Sequence, residues 1–180
     1  VIGYGTAKEK NFDRALADLE QFVPLVNNWA VNDSFCVEFK VMDRFRDEFL
    51  PYIRECTMSY DEYRARVGLI MLLDHYLKID EFGNKKPRMK KVTREDIYVN
   101  GEKATGKYLE EILSLVNRDF SGNGYYTQMA AGWLLAECFV TFPARIWEFL
   151  ADKEHLRLDN VSYRKAVNKI CESLTPDKEV

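Results

Sequence analysis

A chain of 180 residues and 21.1 kDa is long enough for one domain with a real core and too short for two full-sized domains and a linker. Its 47% hydrophobic and 31% charged residues exclude a disordered or membrane-embedded chain, and the scarcity of Gly (9) and Pro (5) disfavours a turn-rich β sandwich. A net charge of -3 and a pI near 5.6 give, as averages, no reason to expect a nucleic-acid partner.

In chain order, Asn11 caps a helix carrying Phe12, Leu16, Leu19, Phe22 and Val23 at helical spacing, which Pro24 interrupts. Asn27 and Asn28 precede a second helix with Trp29, Asp33, Phe35, Val37 and Phe39. Phe45, Phe49, Leu50 and Ile53 form a third, in which Pro51 bends the helix or marks its boundary. Ser59 and Glu62 have capping-box spacing before Tyr63 to Leu77. Within that stretch residues 67–73 are apolar nearly all round, which predicts a buried central helix. Lys78 to Gly106 breaks the rhythm with Gly83-Asn84, Pro87 and Asn100-Gly101, and Ile97-Tyr98-Val99 before Asn100-Gly101 reads as a short hairpin. Helices resume at 107–117, 125–140, 143–150 and 162–174, with Pro143 suited to a first turn. Segments opening with Tyr63, Tyr126 and Tyr163 echo one another: Tyr, polar residues, then small apolar ones. Such an echo suggests an all-α superhelix, a HEAT-like repeat solenoid, with a plain helical bundle as the alternative.

Charge is unevenly spread. The segment to Gly83 carries net -5, Asn84 to Arg118 net +4, and the remainder net -2, so a basic island lies between acidic flanks. No apolar run approaches the ~20 residues a membrane span needs. No signal peptide is visible, and a start at Val1 without Met is expected of a fragment. Cys36, Cys56, Cys138 and Cys171 are scattered with no CxxC, which fits a reduced cytoplasmic protein with buried thiols.

Few chemical constellations survive inspection. His75 and His155 are isolated, so no metal site is expected, and no phosphate loop, serine elbow or Cys/His pairing occurs. Trp29 and Asp33 are four apart and share a helix face, where a carboxylate beside an indole wall could stabilise a cation. The alternative makes Asp33 a helix cap and Trp29 a core residue. Arg66, at the start of the most apolar helix, needs a carboxylate or a phosphate, and an internal salt bridge is the simpler answer. Trp133, among Ala130, Ala131 and Gly132, is a core residue or an aromatic platform, and spacing does not separate the two.

Four stretches together carry more information: residues 22–34 around Trp29 and Asp33, Tyr63-Arg64-Ala65-Arg66, residues 125–133 ending on Trp133, and Tyr163 to Ile170. In this order they resemble the AlkD-like DNA alkylation repair family over most of the chain, apart from Lys78 to Gly106. The resemblance implies a single HEAT-like helical domain over residues 1–180, lacking the N-terminal helices of its relatives, with 78–106 as a basic insertion. It implies a monofunctional DNA glycosylase, a hydrolase of N-glycosyl bonds, that excises N3- or N7-alkylated purines in base-excision repair. Its partner would be duplex DNA containing alkylated bases, it would act as a cytoplasmic monomer, and it would need no metal or cofactor. By resemblance, Asp33 is the catalytic carboxylate, Trp29 and Trp133 flank the deoxyribose and the lesion, and Arg66 holds backbone phosphate. Arg164, Lys165 and Lys169 join Arg66 as expected DNA contacts. Lys90 and Lys91 of the insertion, with Lys85, Lys86, Arg88 and Arg94, either grip phosphates or form a solvated loop. A non-catalytic HEAT-like DNA-binding or protein-interaction module is the alternative function.

Overall fold

Side-chain caps at helix starts set much of the architecture. The computed structural model describes residues 10–86, 91–98 and 105–174. In α1 (Phe12–Phe22) the Asn11 side chain accepts from the Arg14 N–H at 3.0 Å, satisfying one of the free donors of the first turn. Pro24 then sits in a 3-10 turn, Val23–Leu25. In α2 (Trp29–Glu38) Asn28 does the same for the Val31 N–H at 2.9 Å. A second 3-10 turn, Lys40–Asp43, leads into α3 (Arg46–Met58), which runs through Pro51 without ending there. Pro51 lies on an exposed face, where water can serve the carbonyl that its missing N–H leaves free.

The capping box expected at Ser59 and Glu62 does not form. Asp61 caps α4 (Glu62–Met71) by accepting from the Arg64 N–H at 2.8 Å, and Ser59 Oγ accepts from the Asp61 N–H. Glu62 is thereby free to reach another helix. Every residue from Ala65 to Met71 is buried, as the apolar run predicts, and the helix continues as a π turn over Leu72–Tyr76. The central α4 packs on α2, on α3 and on α7 (Tyr125–Phe139). Gly68 permits the α3 contact, since a Cβ there would come within 2.5 Å of the Thr57 nitrogen.

The hairpin expected near Ile97 is also replaced. Ile97 and Tyr98 belong to a short helix, α5 (Arg94–Tyr98), while Val99 to Gly101 lie outside the described residues. Thr93 and Asp96 exchange the reciprocal bonds of a capping box, with the Thr93 N–H donating to Asp96 Oδ2 at 2.8 Å, and this favours helix over strand. The insertion is pinned at its ends by isolated bridges, Ile79 with Lys85 and Asp80 with Gly106, and by Val92 against Leu174. After α6 (Leu109–Val116) and α7 come α8 (Pro143–Ala151), opened by Pro143 as expected, and α9 (Asn160–Ser173). The result is an all-α superhelical fold whose core includes Phe39, Phe49, Tyr76, Phe120, Phe139 and Phe142. No helix among the described residues is long and apolar enough to cross a membrane.

Candidate functional site

Four helices converge on one cleft of about 540 Å³. Trp29 and Asp33 come from α2, Arg66 from α4, and Met129 and Trp133 from α7, while Lys165, Asn168, Lys169 and Glu172 come from α9. The cap at Asn28 places Asp33 in the second turn of α2, so it is no helix cap, and Trp29 is 51% exposed, so it is no core residue. Trp133 is partly buried against the core while also lining the cleft.

Arg66 reaches Asp33 across the helix interface. Its Nε donates to Oδ1 at 2.9 Å and its Nη2 to Oδ2 at 2.7 Å, while Nη1 donates to the Tyr126 carbonyl at 2.5 Å. This two-pronged pairing matches the planar fork of a guanidinium to a carboxylate. Oδ1 also accepts from the side-chain nitrogen of the wholly buried Asn32 at 3.1 Å. The carboxylate is therefore held in one rotamer by three donors. The internal salt bridge proposed for Arg66 is present, and its partner is the candidate catalytic residue. With its side chain only 7% exposed, the Arg66 guanidinium is taken up by Asp33 and the Tyr126 carbonyl while still lining the cleft.

Further cations of the cleft come from α9. Lys165, Asn168, Lys169 and Glu172 fall at helical spacing on one stripe. Neither Lys165 nor Lys169 makes an ion pair among the described residues, and Lys165 Nζ is 3.3 Å from the Tyr125 hydroxyl. The cleft thus holds three cations against two carboxylates, although the whole chain is acidic. Gly132 makes the arrangement possible, because a Cβ there would lie 2.7 Å from Lys165 Cβ and 3.0 Å from the Ala166 nitrogen. Without a side chain at 132, α9 lies directly on α7 beside Trp133.

The N-terminus of α7 is fixed from outside. Gly124, at φ +116°, supplies no side-chain cap, and a Cβ on it would strike the Glu62 carboxylate. Glu62 Oε1 instead accepts from the Tyr126 N–H at 2.8 Å, and the Thr127 hydroxyl donates to the Glu62 carbonyl at 2.6 Å. This clamp sets the Tyr126 carbonyl that receives Arg66.

Other expected contacts lie elsewhere. Arg164 is exposed and does not line the cleft. Lys91 is exposed beside Val92, whose N–H donates to the Ser173 carbonyl at 3.2 Å, so it lies at the C-terminal end of α9. Lys90, with Arg88, falls outside the described residues. Within the insertion, Lys85 pairs with Asp43 at 3.7 Å and Lys86 lies over the Phe142 ring at 4.7 Å, so both address the protein itself. Asn32, Glu62 and the Tyr126 carbonyl had no sequence signal as site residues, because their roles depend on partners distant in sequence. Asn168 and Glu172 were legible as neighbours of Lys165 and Lys169 on a helical stripe.

Among the described residues no cluster of three His, Cys, Asp or Glu could hold a metal. Both ring nitrogens of buried His75 already face protein oxygens, Nε2 the Cys36 carbonyl at 2.8 Å and Nδ1 Asp43 at 3.1 Å. Three of the cysteines are buried as expected, but Cys171 is exposed on α9. No disulfide links any of them.

No curated protein and no solved structure matches the chain. A family model does: that of the DNA alkylation repair enzymes, over residues 2–170. With nearly the whole chain covered, including three of the helices that build the cleft and all but the last turn of the fourth, the protein belongs to the DNA alkylation repair enzyme family.

Proposed function

We propose that this protein is a monofunctional DNA glycosylase, on a HEAT-like scaffold, that excises N3- and N7-alkylated purines from duplex DNA. The observation that carries the reading is the cleft itself: a firmly held carboxylate, Asp33, in one cleft with two indoles and with two ammonium groups that make no ion pair among the described residues. An alkylated purine of this kind already bears positive charge, so the C1′–N bond can break with its electron pair leaving on the base and no general acid. The deoxyribose then develops oxocarbenium character, which a fixed carboxylate at close range stabilises without reorganising. Water adds to C1′, its proton passing to Asp33 or solvent, and an abasic site remains.

Trp29 and Trp133 contribute through their ring faces, each worth about 0.5–2 kcal/mol toward a cation. Lys165 and Lys169 take phosphate, the part that the resemblance gave to Arg66. Arg66 acts through Asp33 by fixing its rotamer. The chemistry of this donor set calls for no metal, since the leaving group is activated by its own charge.

The test is release of base from duplex containing 7-methylguanine, measured as abasic sites formed by the intact protein and by Asp33→Asn. Excision by the native protein that falls at least a hundredfold in the variant supports the reading. No excision, or equal excision, sinks it. One observation favours a second reading, a DNA-binding module without chemistry: both oxygens of Asp33 are already engaged by a guanidinium. That reading expects salt-sensitive duplex affinity with no base release at all.

A further inference from the structure

Three tyrosines continue the cleft beyond its walls. Tyr126 lies seven residues before Trp133 on the same face of α7, about 10 Å along the helix axis, with Met129, which lines the cleft, between them. Tyr63, one turn before Arg66 on α4, stacks on Tyr126 with ring centroids 6.1 Å apart and planes at 26°. Tyr125 meets Tyr126 edge-on at 5.8 Å. Large rings are normally withdrawn from water, yet Tyr125 is 53% exposed and Tyr126 38% exposed.

The cluster is bolted to the cleft at two points. Arg66 donates to the Tyr126 carbonyl, and the Lys165 ammonium lies 5.4 Å from the Tyr125 ring centroid, within reach of its hydroxyl. The Glu62 clamp holds the backbone beneath Tyr126. Tyr125 and Tyr126 are therefore exposed rings on a fixed backbone, Tyr63 is half-buried against Tyr126, and beside them lies a cation with no carboxylate partner among the described residues.

From this arrangement we infer that Tyr63, Tyr125 and Tyr126 form a stacking subsite for an unstacked DNA base, with Lys165 on the adjoining phosphate. Every base has a π face, so exposed rings bind bases without reading sequence. Within a duplex those faces are covered by neighbouring pairs, so the subsite takes only a nucleotide that has left the stack. Its distance from Trp133 corresponds to about three base steps at 3.4 Å each, which places it on a nucleotide about three positions from the one in the cleft. The inference rests on the reading of the cleft as a DNA site, but not on that site being catalytic.

The experiment compares affinity for a labelled, undamaged duplex with affinity for the same duplex carrying one bulged 2-aminopurine. Wild-type protein should bind the bulged duplex at least about fivefold more tightly and quench the 2-aminopurine fluorescence. Tyr63→Ala and Tyr126→Ala should each bring the ratio close to one and remove the quenching, while Tyr126→Phe, which keeps the ring, should retain both. Circular dichroism melting confirms that each variant is folded. Equal wild-type affinity for the two duplexes, or a preference that survives both alanine variants, overturns the inference. Excision of 7-methylguanine is assayed separately. Its absence overturns the glycosylase reading and leaves the subsite standing, whereas loss of the bulge preference alone does the reverse.

Discussion

Asp33 and Arg66, 33 residues apart in the sequence, meet in a two-pronged ion pair of 2.9 and 2.7 Å in the lining of the cleft. The pair joins α2 to α4, and through the third guanidinium nitrogen it reaches the start of α7. Under the proposed function, stability and catalysis depend on the same four side-chain atoms. A carboxylate held by a buried cation keeps its direction at a cost to its net charge, and the balance between the two is open to mutation.

Replacing Arg66 by Lys keeps the charge and removes the fork, so Asp33 loses its fixed rotamer. Excision by Arg66→Lys should fall at least about tenfold, with a smaller loss of stability than in Asp33→Asn. The latter leaves a nearly buried guanidinium without its anion, a change worth about 2–4 kcal/mol once the partial exposure of Asp33 is allowed for. Urea unfolding of both variants beside their excision rates checks the order.

Gly132→Ala should separate α9 from α7. The new methyl has no room against Lys165 and Ala166, and overpacking of this kind costs about 1–3 kcal/mol. Because the displaced helix carries Lys165 and Lys169, duplex affinity should fall along with the melting temperature. A variant that melts lower but binds DNA as tightly as wild type would show that α9 does not supply the phosphate contacts.

Lys165→Ala and Lys169→Ala should each reduce the salt slope of duplex binding by about one, since each removes one proposed phosphate contact. Arg164→Ala, on the exposed side of α9, should leave the slope nearly unchanged. Titrations over a range of sodium chloride concentrations give all three slopes directly.

Acid stability should depend on Asp43. Burial raises its carboxyl, but the hydrogen bond and charge of His75, with Arg46 and Lys85, outweigh that and lower it from 3.8 to about 2. A folded value below the unfolded one stabilises at higher pH, in full above about pH 4, and the contribution disappears as pH falls toward 2. The stability gap between wild type and Asp43→Asn should therefore be widest near neutrality and close across that acidic window. A gap that stays constant from pH 6 to about pH 2 would break the linkage.

Much of the helical framework was legible because its signals are local. Asn11, Asn28 and Pro143 act within one turn of themselves, and the apolar run through Leu69 to Leu73 admits only a buried helix. Where two local signals competed, spacing alone did not choose between them. Ser59 and Glu62 have the spacing of a capping box, yet Asp61 stands closer to the helix start and Glu62 finds a better use on α7. The hairpin reading of Ile97 to Gly101 likewise overlooked the box formed by Thr93 and Asp96.

By itself the sequence determined the all-α class, and with its family resemblance it singled out Trp29, Asp33, Arg66 and Trp133 as residues to watch and Arg164, Lys165 and Lys169 as expected DNA contacts. Only the tertiary structure decided that Arg66 faces Asp33, that Gly132 lets α9 deliver its lysines beside Trp133, and that Tyr125 and Tyr126 stay in solvent. The reason is range: a cap or a helical period is written within four residues, whereas an ion pair across helices depends on how closely their backbones approach. At Gly132 that approach is set by the absence of a single methyl group.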